Sequence, residues 1–570
     1  MKHSPWCKFA LLIATILIVR PAFAQVTEES DLPPAKKPVP FAIGVVSSIE
    51  RVFVEMDYMF ESIGHPELSD LISTQLATVR DLKGIDRNRP LGALAFLKPG
   101  IFPEPAIAGF IPVDDFEEFL QTMSIGPSQP AKVPELENRY VLANPEMDIY
   151  FEQIGDHVFL TNDETILDSE LPDPTKFAKN LNTRYDAAIQ LNIGAIPIGM
   201  RTVLLNFVRV SMEAQMQQQD EEPEGAYRLR KASGMSNLRF MEQLLLQGDS
   251  FTIGIDVSSK LKTAVIEIDL NALPGSQFAK YLSDSGGEIS YFRPLQNDPS
   301  ILSAYMSWKL QEKDAELFKE MALAGKDLIA HQLETNPPEG DPVNVRLDGL
   351  FDSLADTAEA GILDGFFRFQ GENQGEVVVM AAVRVVNGQL ASQTIGDLLM
   401  MAQAYNPSDN IEFQLNAEAY RGVNFHRVIS DEPPDTPTKR TFGDDYSFYF
   451  GAGERTLWFV MGGDKAIPEV RKAIDQILDP TSQQDLGNTA PFRFTLNMSN
   501  WMKIWEDPER ERRGFGKTAS ENFEKGDDRI VLDMTTRENG IRYRIQLEES
   551  FVRLLGLAIA RGLGIPLEEE

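Results

Sequence analysis

Alternation of apolar and polar positions organises most of this chain. Gly248-Asp249 opens a period-two run from Phe251 to Val257, followed by a polar turn at Ser258 to Lys260, a second run ending at Leu270, and an amphipathic segment with Phe278, Tyr281 and Leu282. Such a pattern predicts a hairpin with one buried and one wetter face, then a helix. Gly526-Asp527 opens the same succession: Ile530 to Met534, a turn at Thr535-Thr536-Arg537, a strand from Ile541 to Leu547, and a helix from Glu549.

Other blocks recur in the same order. Tyr150 to Gln153, a Gly155-Asp156 turn and His157 to Leu160 predict a hairpin, with Asp163 as the following helix N-cap. Tyr446 to Phe450, a turn at Gly451 to Arg455, and Thr456 to Met461 match it, and a helix through Val470, Ile474 and Ile477 follows. Leu-Asn strands come next in both halves, at Leu191-Asn192 and Leu496-Asn497, and strand pairs precede, at Leu91 to Val113 and Phe366 to Val386. The expected class is α+β, as two tandem pseudo-repeats, 38–283 and 288–563, each an antiparallel hairpin-built sheet with helices on one face. The first carries a helical insertion, 198–246, with Met200, Val203, Leu204, Phe207 and Val208 at helical spacing; the second has a charged segment from Glu506 to Asp528. Insertions at one point of a repeat mark a place for a partner surface. Asn336 to Val343 and Asp431 to Asp444 read as Pro- and acid-rich loops.

The first 24 residues read as an export signal: Lys2 and Lys8, an apolar run from Phe9 to Val19, and Ala22-Phe23-Ala24, with cleavage expected between Ala24 and Gln25. A linker, 25–37, and an acidic tail, 564–570, complete the plan. Eleven apolar residues are too few to span a bilayer, so no transmembrane segment is expected after cleavage. Cleavage removes Lys2, Lys8 and Arg20 with the lone Cys7, taking the net charge from −32 to −35 and leaving no cysteine. That excludes thiol chemistry and thiolate metal sites, and the acidic balance argues against nucleic acid as a partner.

Catalytic templates fail one by one. His65, His157, His331 and His426 lack zincin spacing, and no Gly-x-Ser-x-Gly elbow occurs. Ser259 and Lys262 have Ser-x-x-Lys spacing, but on a hairpin. Gly514 to Thr518 resembles the end of a phosphate loop, yet Glu511 stands where its first glycine belongs. Asp114, Asp115, Glu117 and Glu118 open a helix, where acidic residues complement the dipole. The stripe Phe551, Leu554, Leu555, Ala558 and Ile559 is expected to pack on its sheet. In Gly84 to Pro90, Asp86 is expected to fix the loop through Arg87 or Arg89, with a clamp for an acidic ligand as the alternative.

The segments Gly84 to Gly92 and Phe110 to Leu120, with the two Gly-Asp hairpins, resemble large exported proteins of planctomycete-type bacteria, a family with no assigned activity. The resemblance implies an exported bacterial protein of repeated α+β build and brings no catalytic residue.

The expectation is an exported, non-enzymatic binding or scaffolding protein of the periplasm or cell envelope, with an envelope protein or ligand as partner. No catalytic residue, metal or cofactor is expected. Two alternatives stay open: a carrier of an apolar ligand in a cavity between sheets, and a carboxylate-dependent hydrolase of envelope polymer with two facing acidic groups.

Overall fold

The computed structural model describes residues 39–562, except 71–73, 75–79, 99–103, 125–128, 135, 137, 144–147, 287, 297–298, 336–346, 406–410, 431–435, 480–489 and 505–520. Ala24 and Gln25, the charged segment at 505–520 and the Asn336 loop lie outside the described residues.

The fold is α+β, built on one antiparallel sheet. The first half supplies β1 (Ala42–Val46), β2 (Leu91–Leu97), β3 (Pro105–Pro112), β4 (Ala131–Lys132), β5 (Arg139–Leu142), β6 (Ile149–Ile154), β7 (His157–Thr161), β8 (Ala187–Leu191), β9 (Gly248–Ser258) and β10 (Thr263–Ala272). The second supplies β11 (Leu302–Lys309), β12 (Ile362–Gln370), β13 (Val378–Arg384), β14 (Ile411–Tyr420), β15 (Val423–Ser430), β16 (Ser447–Ala452), β17 (Thr456–Gly462), β18 (Phe492–Asn497), β19 (Arg529–Arg537) and β20 (Gly540–Glu548).

From one edge to the middle the order is β4-β5-β6-β7-β3-β2-β1-β8-β9-β10. From the other edge it is β14-β15-β16-β17-β13-β12-β11-β18-β19-β20, strand for strand the same path. The innermost strands pair over nine residue pairs, from Thr263↔Glu548 to Asn271↔Gly540, and fuse the halves into a single sheet.

Helices lie on both faces of this sheet, where one face was expected. They are α1 (Ile49–Ser62), α2 (Phe116–Thr122), α3 (Glu164–Leu167), α4 (Pro174–Asn182), α5 (Ile198–Gln215), α6 (Glu224–Gln247), α7 (Gln277–Asp284), α8 (Glu312–Thr335), α9 (Asp348–Glu359), α10 (Gly388–Tyr405), α11 (Pro437–Phe442), α12 (Ala466–Leu478), α13 (Met498–Ile504) and α14 (Glu549–Gly562). Directly paired residues share a face, so the register sorts the packing. On one face, α4 buries Ala178 and Leu181 against Ile43, Val45, Leu94 and Phe96. On that same face α12 buries Val470, Ala473, Ile474 and Ile477, at helical spacing, against Met380, Trp458 and Val460. Each such buried aliphatic side chain contributes roughly 1.5–3 kcal/mol. On the opposite face, α7 packs Phe278 and Leu282 on Leu270 and Ile541, while α1 and α14 meet over Val257 and Ala264. A Cβ on Gly556 of α14 would stand 2.8 Å from the Met59 carbonyl oxygen, so glycine permits the close crossing of α1 and α14.

Helix starts follow local chemistry. Asp115, Asp163 and Asp173 cap α2, α3 and α4, each carboxylate accepting a backbone N–H, and Pro174 stands in the first turn of α4. Part of the stretch read as a loop from Asp431 to Asp444 is helical: Thr436 caps α11, with Pro437 in its first turn.

Candidate functional site

The residues singled out in the sequence are dispersed. His65 pairs with Glu67 at 2.8 Å on the surface, and His331 is exposed on α8. His157 is buried, with Nδ1 2.8 Å from Asp156 and Arg89 beside Nε2; burial lowers its pKa. Lys262, at the hairpin tip, pairs with Glu549. The loop from Gly84 is fixed differently from the sequence expectation: Asp86 accepts the Asn88 N–H, while Arg87 binds Glu50 and Arg89 binds Asp156, 2.7 Å away. On α5 the inward positions are Arg201 and Leu205, Arg201 donating to the carbonyls of Leu245 and Leu246. Val203, Phe207 and Val210 form an exposed stripe. Gly514 to Thr518 lies outside the described residues. No group of three or more His, Cys, Asp or Glu able to hold a metal occurs among the described residues, and no described helix is long and apolar enough to cross a membrane.

Three features of the sheet stand out. The first is a charged seam where the halves join. Glu267, Arg544, Asp533 and Arg493 follow one another across β10, β20, β19 and β18 with alternating sign. Glu267 accepts from Arg184 (2.6 Å) and the Tyr185 hydroxyl (2.9 Å), and Arg542 bridges Glu267 and Asp269. Nearby, Arg51 contacts both Asp186 and Asp256 at 2.5 Å. Burial raises the pKa of Asp186, Asp256 and Asp269. Asp186 and Asp256 share Arg51, and Glu267 and Asp269 share Arg184 and Arg542, so the seam is a network of paired charges around a recess of about 210 Å³.

The second is a transverse row on the opposite face. By register it runs Leu91, Val46, Ala187, Ile255, Ile266, Ile545, Leu532, Phe494, Ala304, Phe367, Ala381, Phe459, Phe450, each on the next strand. None of these is charged or polar, and none is buried. In the neighbouring row of the same face, Ile189 is 66% exposed, Ile253 43% and Val383 44%, and Phe367 itself is 39% exposed. By contrast the row on the seam face includes Phe159, Phe110, Val45, Ala188, Tyr305, Phe366, Ala382, Trp458 and Phe425, all buried. Between the helices that pack on this face the row stays partly exposed, most of all at Phe367, whereas the aromatic and aliphatic members of the seam row are buried.

The third is the end of that apolar row. Phe450 pairs with His426, which is 4% exposed and forms part of the wall of a cavity of about 440 Å³ between α10 and the β14-β15 hairpin. Gln389, Ser392, Gln393, Asn416 and Asn424 supply most of its polar lining. A bulge in β14 interrupts the register between Gln414 and Glu418, with Asn416 at φ 51°. The bulge turns the Asn416 N–H onto His426 Nδ1 at 3.2 Å, which makes Nδ1 an acceptor and assigns the proton to Nε2. Burial lowers the His426 pKa, and the nearby Ser392 carbonyl offsets this in part, so the ring is neutral at pH 7. Sequence reading set His426 aside, because nothing near it in the chain marks the bulge; Asn416 inside a strand-like run was the available signal.

Comparison with protein-family models, with curated proteins and with solved structures finds no match to the chain. The resemblance to exported planctomycete-type proteins therefore rests on its sequence segments alone.

Proposed function

We propose that this is an exported, non-enzymatic binding protein of the bacterial periplasm or cell envelope that carries an apolar ligand on the open face of its sheet. The observation that carries the reading is the apolar row across thirteen strands with no buried member, opposite a row that buries aromatic and aliphatic side chains on either side of the charged seam. A ligand covering ~300 Å² of such surface would gain ~7 kcal/mol before the cost of association. The carrier foreseen from sequence used a cavity between two sheets; here the support comes from a single sheet and both halves contribute to its row. The shared strand order supports reading the chain as two tandem pseudo-repeats.

The test is titration of the full chain with N-phenyl-1-naphthylamine, an uncharged apolar fluorophore. Saturable enhancement that weakens several-fold in Phe367→Gln is expected. Absence of saturable binding, or an unchanged affinity in Phe367→Gln, overturns the reading.

A further inference from the structure

The apolar row does not fade out at the edge of the sheet; it ends beside a polar cavity whose wall includes the buried imidazole of His426. Phe450, Phe459, Ala381 and Phe367 lead away from His426 on successive strands. At ~4.8 Å per strand these positions reach ~19 Å from His426. One leaflet's share of the ~30 Å hydrocarbon core of a bilayer is ~15 Å. A single acyl chain of that length therefore extends from the cavity mouth to the neighbourhood of Phe367, the exposed member of the row.

The cavity selects the other end of such a molecule. No Lys or Arg lines it, and Asp397 is its one carboxylate. A phosphate or carboxylate head would enter without a counter-charge, at a large desolvation cost. Amides of Gln389, Gln393, Asn416 and Asn424 offer both donors and acceptors, beside the imidazole of His426. This set matches vicinal hydroxyls, each of which donates and accepts.

Resting on the carrier reading above, we infer that the ligand is an amphiphile with an uncharged, hydroxyl-rich glycosyl head, the head seated at His426 and the tail lying over Phe450, Phe459, Ala381 and Phe367. The head site belongs to the second half. There the hairpin strands have ten and eight residues and α10 has eighteen. Their first-half counterparts β4, β5 and α2 have two, four and seven. One head per chain follows.

The experiment displaces bound N-phenyl-1-naphthylamine from the full chain with dodecyl maltoside below its micellar concentration, with laurate, and with maltose alone. Dodecyl maltoside is expected to displace at least tenfold more effectively than laurate, and maltose not at all. His426→Phe and Gln393→Leu should each weaken dodecyl maltoside about fivefold to tenfold relative to the fluorophore measured on the same variant, as loss of a hydrogen bond does. Gln393 is exposed on α10, so that variant tests the site even if His426→Phe misfolds. Equal displacement by laurate and dodecyl maltoside, or indifference to Gln393→Leu, overturns the head assignment while leaving the carrier reading standing. Failure of the fluorophore to bind at all removes the carrier reading, and the head assignment with it.

Discussion

Glu267 and Arg544 face each other at the middle of the ladder that joins the two halves, four residue pairs from either end. They are not equal partners. Glu267 is buried and receives Arg184, Arg542 and the Tyr185 hydroxyl, whereas Arg544 is exposed and acts on Asp256 and Asp533 at longer range. Glu267→Ala should lower unfolding free energy by about 2–4 kcal/mol, since it leaves a hydroxyl and two guanidinium groups short of an acceptor. Arg544→Ala should change it by about 0.5 kcal/mol or less. Urea denaturation of both variants distinguishes the outcomes, and equal losses would show that the seam is held in some other way.

Two glycines report on the two faces. A Cβ on Gly254 would stand 2.4 Å from the Tyr185 ring, which lies flat on β9, so Gly254→Val should cost about 3 kcal/mol or prevent folding. Nothing stands within 4 Å of a Cβ on Gly44, on the open face. Gly44→Ala should be neutral or stabilise by about 0.5 kcal/mol, because alanine loses less backbone freedom in a strand. Thermal melting of the pair measures the difference between a sealed and an unsealed surface.

Asp186 gives a pH dependence of definite sign. Burial raises its pKa above the ordinary 3.8, so the folded protein holds this proton more tightly than the unfolded chain. Its contribution is full below the unfolded value and is lost as pH rises through the folded one. Asp156 runs the other way: its hydrogen bond from Arg89 lowers its pKa, and its contribution disappears as pH falls. Asp186→Asn, whatever it does to absolute stability by altering the Arg51 contact, should flatten the decline as pH rises above the ordinary carboxylate range. Denaturation midpoints across that rise supply the slope; an unchanged slope would falsify the assignment.

The left-handed backbone at Asn416 makes a further variant informative. Asn416→Gly should be tolerated, whereas Asn416→Val should cost about 1–2 kcal/mol, since a β-branched residue resists positive φ. The larger readout is His426 itself: loss of the Asn416 N–H from Nδ1 should change the tautomer signature in ¹⁵N NMR spectra of the ring.

Hairpins were legible because turn and period agree. Gly155 takes φ 65° between strands whose alternation had already been read, and Asp163 caps the helix that follows. The fusion of β10 with β20 was not legible, since an alternating strand is compatible with any antiparallel neighbour. Nor was the use of both faces: in β11 the buried residues are Ser303, Tyr305 and Ser307, while the apolar Leu302, Ala304, Met306 and Trp308 on the other face are only half-buried. His426 shows the same limit at the candidate site. Its strand was readable, but the bulge that positions its ring depends on a backbone conformation at a residue ten positions away. The Gly84 loop erred in partner choice, because Glu50 and Asp156 reach it only after folding.

The pairing of β10 with β20 also dictates a sequence of events on the ribosome. Within the sheet β20 is the last strand synthesised, and it is the one that covers β10. Until it emerges, a completed first half presents a ten-residue unpaired edge beside an open apolar face, a combination prone to intermolecular strand addition. Under the export proposed above, this favours crossing the membrane unfolded and building the sheet only once its final hairpin has arrived.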